Sequence, residues 1–95
     1  MSVQVVVPQI FRRHTGGAKT VTVEGTTIRE ILDYLDSTYP GLRERLLDGK
    51  ELHRFVNIYR NDEDIRFLQF LDTEVKDGDV ISILPAVAGG GGSAD

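Results

Sequence analysis

The chain has no cysteine among its 95 residues. This absence excludes a disulfide framework, a thiolate metal site and a thiol nucleophile, so any sulfur chemistry must use sulfur that another molecule supplies. No apolar run approaches the roughly 20 residues that span a membrane, and residues 1–5 lack the basic and apolar segments of a signal peptide. We therefore expect a cytoplasmic protein that does not enter a membrane.

Basic residues are too few and too scattered to form a surface for nucleic acid. Eleven Lys and Arg against fifteen Asp and Glu give a formal net charge of −4 at pH 7, whereas nucleic-acid binding needs a clustered basic face. The two histidines, His14 and His53, have no second metal ligand at helical or hairpin spacing. Without a catalytic cluster, the chain is predicted not to be an enzyme.

Two short motifs resemble binding loops but lack the pattern that binding requires. Residues 16–20 contain a Gly-Gly pair and a Lys, yet Ala18 stands where a phosphate loop needs glycine, and a strand follows instead of a helix. The acidic residues 61–64 lack the alternating ligands, central glycine and closing Glu of a calcium loop. Both segments are predicted to be turns, and the chain itself is expected to bind no cofactor.

Apolar residues alternate with polar ones in several short segments, a period that is typical of half-buried strands. Pro8 ends the first of these segments, and residues 14–18 form a turn that makes a hairpin of the first two. The predicted strands cover residues 3–7, 19–24, 55–60, 65–67 and 80–84.

One main helix is predicted between the second and third strands. Thr27 and Glu30 have the spacing of a capping box, and an apolar stripe follows at Ile28, Ile31, Leu32 and Leu35. The helix ends near Tyr39, and one more helical turn follows over residues 42–47. Residues 68–75 are predicted to be a loop with a short 3₁₀ turn.

This order of elements predicts an α+β fold. A hairpin, a helix and a second group of strands fit a mixed sheet with the helix on one face. We expect the first and last strands to be parallel neighbours at the centre, because that places two apolar runs against the helix. This is the β-grasp, or ubiquitin-like, arrangement.

The end of the chain is predicted to be a flexible tail. Residues 1–85 form the domain and residues 86–95 the tail, in which four consecutive glycines have no side chain to pack and a high backbone entropy. Such a segment can enter a narrow tunnel and present a main-chain carboxylate there. A glycine-rich linker is the alternative, although residues 85–90 are not of linker composition.

A second segment, residues 67–71, is predicted either to form a docking site for a partner or to be buried in the core. Residues 67–71 crowd together Phe67, Leu68, Phe70 and Leu71 without a clean period. At most two of these side chains can belong to an exposed patch on the sheet, and such a patch on a small domain often marks a partner's binding site.

The chain resembles the ubiquitin-like sulfur carriers, the family of the thiamin and molybdopterin carriers, and within it the CysO-type carriers of cysteine biosynthesis. The resemblance covers nearly the whole chain. Its most specific segments are residues 13–17, 53–59, 61–64, 77–79 and 83–90.

The resemblance implies chemistry at a backbone carboxylate. An E1-like partner uses ATP to adenylate the terminal glycine, here placed at Gly90 after Gly89, with Gly92 as the alternative. A sulfur donor then displaces AMP and leaves a thiocarboxylate. A pyridoxal-phosphate (PLP) cysteine synthase and a zinc metalloprotease follow in the cysteine pathway. The segments expected to contact partners are Pro85, Ala86, Val87 and Ala88 of the tail, with Phe67 and Leu68.

Two further expectations follow from the same resemblance. Members of the family end at the diglycine, so residues 91–95 must be removed before activation, unless they are a remnant of cloning. We expect a monomer, and two other functions stay open: a protein modifier that ends on lysines, and a small subunit that inserts its tail into a larger sulfur-transfer enzyme.

Overall fold

A mixed sheet covered on one face by a helix is the main feature of the computed structural model, which describes residues 2–86. Its seven strands are β1 Ser2–Val6, β2 Thr20–Glu24, β3 Leu47–Asp48, β4 Glu51–Leu52, β5 Val56–Arg60, β6 Glu63–Asp64 and β7 Val80–Pro85. Its helices are α1 Ile28–Thr38 and α2 Leu42–Leu46, and 3₁₀ turns cover Gln9–Thr15, Ile65–Phe67 and Phe70–Asp72.

Five of these strands form one sheet in the order β2-β1-β7-β5-β6. β7 lies at its centre, parallel to β1 and antiparallel to β5, with Val5 opposite Ile81 and Ile58 opposite Ile83. β1 and β2 form the antiparallel hairpin that the sequence predicts. The predicted parallel pairing of the first and last strands is confirmed, and the arrangement is a β-grasp.

The apolar stripe of α1 packs against the inner face of this sheet. All four stripe residues that the sequence identifies are buried, as are the inward-facing residues of β1, β5 and β7. Burying one such aliphatic side chain stabilises the fold by about 1.5–3 kcal/mol. The largest fully buried side chains are Ile28, Ile31, Leu32, Leu35, Leu42, Leu46, Ile58, Ile65, Ile81 and Ile83.

The predicted cap of α1 is present, with one change of partner. The Thr27 hydroxyl oxygen accepts a hydrogen bond from the backbone N–H of Glu30 at 3.2 Å. The Glu30 carboxylate bonds Thr26 instead of Thr27, accepting from its backbone N–H and its hydroxyl, both at 2.8 Å. The Thr26 backbone bond, followed by the hydroxyl bond, holds the pKa of Glu30 below its usual value.

One predicted strand is wrong. Residues 65–67 form a 3₁₀ turn, and the strand that pairs with β5 is β6, two residues earlier. The Asp64 carboxylate accepts from the Arg66 N–H at 2.8 Å and so caps this turn, while Ile65 alone of the three is buried. A local side-chain cap therefore outweighs the strand propensity of Ile65 and Phe67.

Two further elements are absent from the sequence-based prediction. The first is the short hairpin β3–β4, which turns at Gly49 with a φ of 67°. The 3₁₀ turn Gln9–Thr15 follows Pro8 at the end of β1. Both are too short to produce a readable period.

Candidate functional site

The central strand β7 leads toward the carboxyl end of the chain, and a polar network holds its start. The carboxylate of Asp79 accepts hydrogen bonds from Arg60 Nε at 3.0 Å, the Lys76 N–H at 2.8 Å and Asn61 Nδ2 at 3.3 Å. Asn61 also accepts from the Val80 N–H at 3.1 Å. These bonds fix where β7 begins between its two neighbours.

The same network lowers the pKa of Asp79. Partial burial acts to raise this pKa, but the hydrogen bonds from Lys76, Arg60 and Asn61, with the positive charge of Arg60, outweigh it. Asp79 therefore stays charged at neutral pH, and its side chain is only 13% exposed. The ion pair with Arg60 is the most buried of those formed among residues 2–86.

The far end of β7 is attached by backbone alone. Pro85 lies opposite Val56, and the N–H of Ala86 donates to the carbonyl oxygen of Phe55 at 2.8 Å. Consecutive backbone nitrogens of a strand point to opposite sides, so the nitrogen of Pro85 points away from β5. β1 stops pairing with β7 at Ser82. Pro85 therefore costs the sheet no hydrogen bond.

The outer face of the sheet beside this end is partly apolar. Leu84 is 43% exposed and lies opposite Asn57 of β5. Arg66 reaches the same place, donating to Asn57 Oδ1 at 2.6 Å and to the Val56 carbonyl at 3.3 Å. This bridge ties the 3₁₀ turn that carries Phe67 to the beginning of β5.

The two residues predicted to form a docking patch have different surroundings. Phe67 is 86% exposed, the most exposed of the large apolar side chains in residues 2–86. Leu68 is half-buried and lines a groove of about 520 Å³ with Arg60, Gln69, Thr73, Glu74 and Lys76. Leu71 is buried and Phe70 packs partly against the core, so one of the four crowded apolar residues is strongly exposed.

Of the predicted tail residues, only Pro85 and Ala86 belong to the part of the chain that the structure describes. Pro85 is exposed and Ala86 half-buried. The other predicted site positions, Val87, Ala88, Gly89, Gly90 and Gly92, lie outside residues 2–86, so their roles stay predictions. The domain boundary after residue 85 also stays a prediction, and Ala86 is still bonded to the body of the domain.

Sequence reasoning missed Phe55 and Ile10 as surface residues next to the end of β7. Phe55 is 55% exposed and Ile10 53% exposed. For Phe55 a signal was present, because Val56 and Ile58 face the core and the residue before them must face outward. For Ile10 there was none, since its surroundings depend on the 3₁₀ turn Gln9–Thr15.

The histidines take structural positions. The ring of His14 lies 6.5 Å from that of Phe11, and His53 Nε2 is 3.1 Å from the carbonyl oxygen of Glu44. Residues 2–86 contain no group of three His, Asp or Glu side chains placed to hold a metal ion. Within the same residues, no helix has the length and apolar character needed to cross a membrane.

The β-grasp fold, with β7 as both the central strand and the last described strand, is the fold of ubiquitin-like proteins. Residues 5–90 match the ThiS family. The chain therefore belongs to the ThiS family, as the resemblance predicts.

Relatives of known name agree with this assignment. The chain is 52% identical over 93 residues to the sulfur carrier protein CysO of Mycobacterium tuberculosis, a match that covers 95% of this chain and 100% of the relative. A chain in the crystal structure of the BexX/CysO complex of Amycolatopsis orientalis superposes with a TM-score of 0.86 at 53% identity, covering 93% of this chain and 99% of that one.

A relative of lower sequence identity is named as a modifier protein and not as a sulfur carrier. Small archaeal modifier protein 3 of Haloferax volcanii is 34% identical over 67 residues, which is 70% of this chain and 73% of the relative. The chain is thus homologous both to sulfur carriers and to a protein modifier.

Proposed function

We propose that this protein is a sulfur carrier whose reactive group is the carboxylate of Gly90. The observation that carries the proposal is the extent of the family match, which runs over residues 5–90 and so ends at that glycine. The 52% identity with a sulfur carrier over nearly the whole chain supports the same function.

The chemistry proposed for Gly90 has two steps. The carboxylate oxygen attacks the α-phosphorus of ATP in an E1-like enzyme, which forms an acyl adenylate and releases pyrophosphate. Hydrosulfide from a sulfur donor then attacks the acyl carbon, the bond between that carbon and the AMP oxygen breaks, and a thiocarboxylate remains. The absence of cysteine from the chain supports a carrier of this kind, because the transferred sulfur has to come from another molecule.

The position of the tail suits this role. β7 is held by neighbours on both sides, so the body of the domain keeps its shape while the segment after Ala86 is handed to a partner. Glycine lacks a Cβ, which lets the backbone at Gly89 and Gly90 approach a bound nucleotide closely. In this proposal the chain is a substrate of its partners and not itself an enzyme.

The sulfur acceptor proposed is the one of cysteine biosynthesis. A PLP-dependent cysteine synthase would supply an aminoacrylate that the thiocarboxylate attacks, and a zinc metalloprotease would release cysteine after the adduct has rearranged to an amide. Phe67, exposed and tied through Arg66 to the start of β5, is proposed to contact these partners together with residues 85–88.

Mass spectrometry of the intact protein tests the proposal. Protein ending at Gly90 is incubated with its E1-like enzyme, ATP and a sulfur donor, and it should gain the mass difference between one sulfur and one oxygen atom. Protein ending at Asp95 is the matched control and should gain nothing, because Gly90 then has no free carboxylate. A gain in neither protein, with an enzyme active on another carrier, would refute the proposal.

A protein modifier is the second candidate, favoured by the relationship to small archaeal modifier protein 3. It shares the adenylation step but ends as an isopeptide bond on a lysine. Trypsin cuts last in this chain after Lys76, so residues 77–90 would remain attached to each modified lysine of digested cellular proteins. Such remnants, lost when the gene is deleted, would support the modifier. Lysines without such remnants, together with thiocarboxylate formation, would exclude the modifier and support the sulfur carrier.

A further inference from the structure

Three of the exposed large apolar side chains lie near the end of β7. The large ones in residues 2–86 are Ile10, Tyr34, Phe55, Phe67, Val80 and Leu84. Leu84 is the last residue but one of β7, and Phe55 accepts the backbone hydrogen bond of Ala86. Ile10 belongs to the same place because it lines a groove together with Phe55. A group of this kind on a small domain is typical of a binding surface.

We call this groove the root groove, because it lies beside the point where the tail leaves the domain. It has a volume of about 420 Å³ and is lined by Ile10, Phe11, Glu44, Arg45, His53 and Phe55. Phe11 is 9% exposed and belongs to the core, so the groove has an apolar base. The backbone N–H of His53 donates to the Leu46 carbonyl at 3.0 Å, and its ring contacts the Glu44 carbonyl. These bonds hold the loop before β5 against α2, so the groove is preformed.

The length of the tail brings a partner to this groove. Ala86 is held on the domain, and Gly90 is the fourth residue beyond it, a span of at most about 14 Å when fully extended. An enzyme that encloses Gly90 in its active site must therefore approach the surface around Phe55. The inference rests on the proposed function, because that function places the reaction at Gly90.

We propose that the root groove receives an apolar side chain of the adenylating enzyme. The occupant is aliphatic or aromatic, since Ile10 and Phe55 line the groove and are each about half exposed. The tail itself is a poorer occupant: seated there, its reactive end would stay against the domain. The charged residues of the lining, Glu44 and Arg45, are of opposite sign and both exposed, so the apolar residues set the chemistry of the occupant.

Steady-state kinetics of adenylation test this inference. The variants Ile10→Ser and Phe55→Ser are made in protein ending at Gly90, and pyrophosphate release is measured with the E1-like enzyme. We expect KM to rise by about tenfold in each, as for a residue at the centre of an interface, with kcat unchanged. Phe55→Leu keeps an apolar side chain and should restore most of the affinity. Tyr34→Ser, on α1 and 40% exposed, is the matched control.

Each outcome decides between named alternatives. Thermal unfolding of every variant within a few degrees of the unaltered protein shows that the fold is intact. If the unaltered protein is adenylated and both serine variants match Tyr34→Ser, the inference is wrong while the proposed function stands. If the unaltered protein is not adenylated at all, the proposed function fails and this inference with it.

Two measurements on the isolated protein identify a competing occupant. A dimer in light scattering that Phe55→Ser converts to a monomer would assign the groove to a second copy of the chain. A change in the methyl NMR signal of Ile10 when residues 87–90 are removed would assign it to the tail. Either result would overturn the inference, and a monomer with an unchanged Ile10 signal supports it.

Discussion

The two ends of β7 are held by different kinds of interaction. At the start, the partly buried carboxylate of Asp79 gathers hydrogen bonds from a turn and from β5. At the finish, Ala86 is joined to Phe55 through the backbone, and the side chains around it are exposed and apolar. Directional polar bonds therefore set the register of the strand, while the apolar surface lies where a partner can cover it.

This contrast separates stability from function along one strand. Asp79 and the buried Ile81 and Ile83 secure β7 in the sheet, and none of them is exposed to a partner. Leu84 and Pro85 are exposed and contribute little to the core. Changes near the start of β7 should consequently affect folding, and changes at or beyond its end should affect activation.

The largest effect is expected when the tail is removed. Deleting residues 89–95 takes away the proposed reactive glycine, so thiocarboxylate formation should fall below detection in mass spectrometry. The free energy of unfolding in urea should change by no more than about 0.5 kcal/mol, because residues 2–86, which contain the sheet and its buried core, remain in place. Activity retained after the deletion would show that the reactive group lies elsewhere.

The buried part of β7 should give the largest change in stability. Ile83→Ala removes a side chain that is 1% exposed and is expected to cost about 2–5 kcal/mol of the unfolding free energy. Leu84→Ala, the adjacent residue on the outer face, is the matched control and should cost about 0.5 kcal/mol. Equal losses in urea denaturation would contradict the assignment of the two faces.

The polar start of β7 should give a smaller, pH-dependent effect. Asp79→Asn removes the charged partner of Arg60 and is expected to cost about 1–3 kcal/mol at pH 7. The folded-state pKa of Asp79 lies below its ordinary value of 3.8. The carboxylate therefore stabilises the fold at pH values above 3.8, and this stabilisation is lost as the pH falls through the folded-state pKa.

Urea unfolding across the acid range measures that dependence. The difference in stability between the unaltered protein and Asp79→Asn should shrink as the pH falls below 3.8. Asp62→Asn, in the exposed turn between β5 and β6, is the control for the loss of one carboxylate and should change the unfolding free energy at pH 7 by no more than about 0.5 kcal/mol. A difference that stays constant down to low pH would show that the charge of Asp79 contributes nothing.

The smallest effect is expected at Pro85. Pro85→Ala supplies a backbone N–H that points away from β5, where β1 no longer pairs, so no ladder bond is gained. The unfolding free energy should change by no more than about 0.5 kcal/mol. A clear gain in stability would mean that β1 and β7 pair further than the described register, and it would weaken the contrast between the two ends.

Local patterns were sufficient where a period was long enough to read. The stripe of α1, the hairpin β1–β2 and the central position of β7 all follow from apolar periodicity, and all are confirmed. The prediction of a strand at residues 65–67 rests on apolar alternation over only three residues. The hydrogen bond from the Arg66 N–H to the Asp64 carboxylate outweighs so short a pattern and favours the 3₁₀ turn. The hairpin β3–β4 has two residues in each strand, too few for any alternation.

The candidate site was predicted only in part. Its glycines stand out in the sequence because no side chain interrupts the backbone there, and the exposure of Phe67 agrees with one of the two alternatives for residues 67–71. The different surroundings of Leu68 depend on residues as far away in the chain as Arg60 and Lys76. No local pattern carries that information.

The sequence by itself determined the β-grasp order of elements, the apolar faces that build the core, the glycine-rich end and the absence of cysteine from the whole chain. These properties are local, since they depend on periodicity and residue type. Only the tertiary structure decided that Ala86 stays bonded to Phe55, and that Ile10 and Phe55 share a groove beside it. Segments that are 45 residues apart in the chain meet there because β7 enters the sheet between β1 and β5.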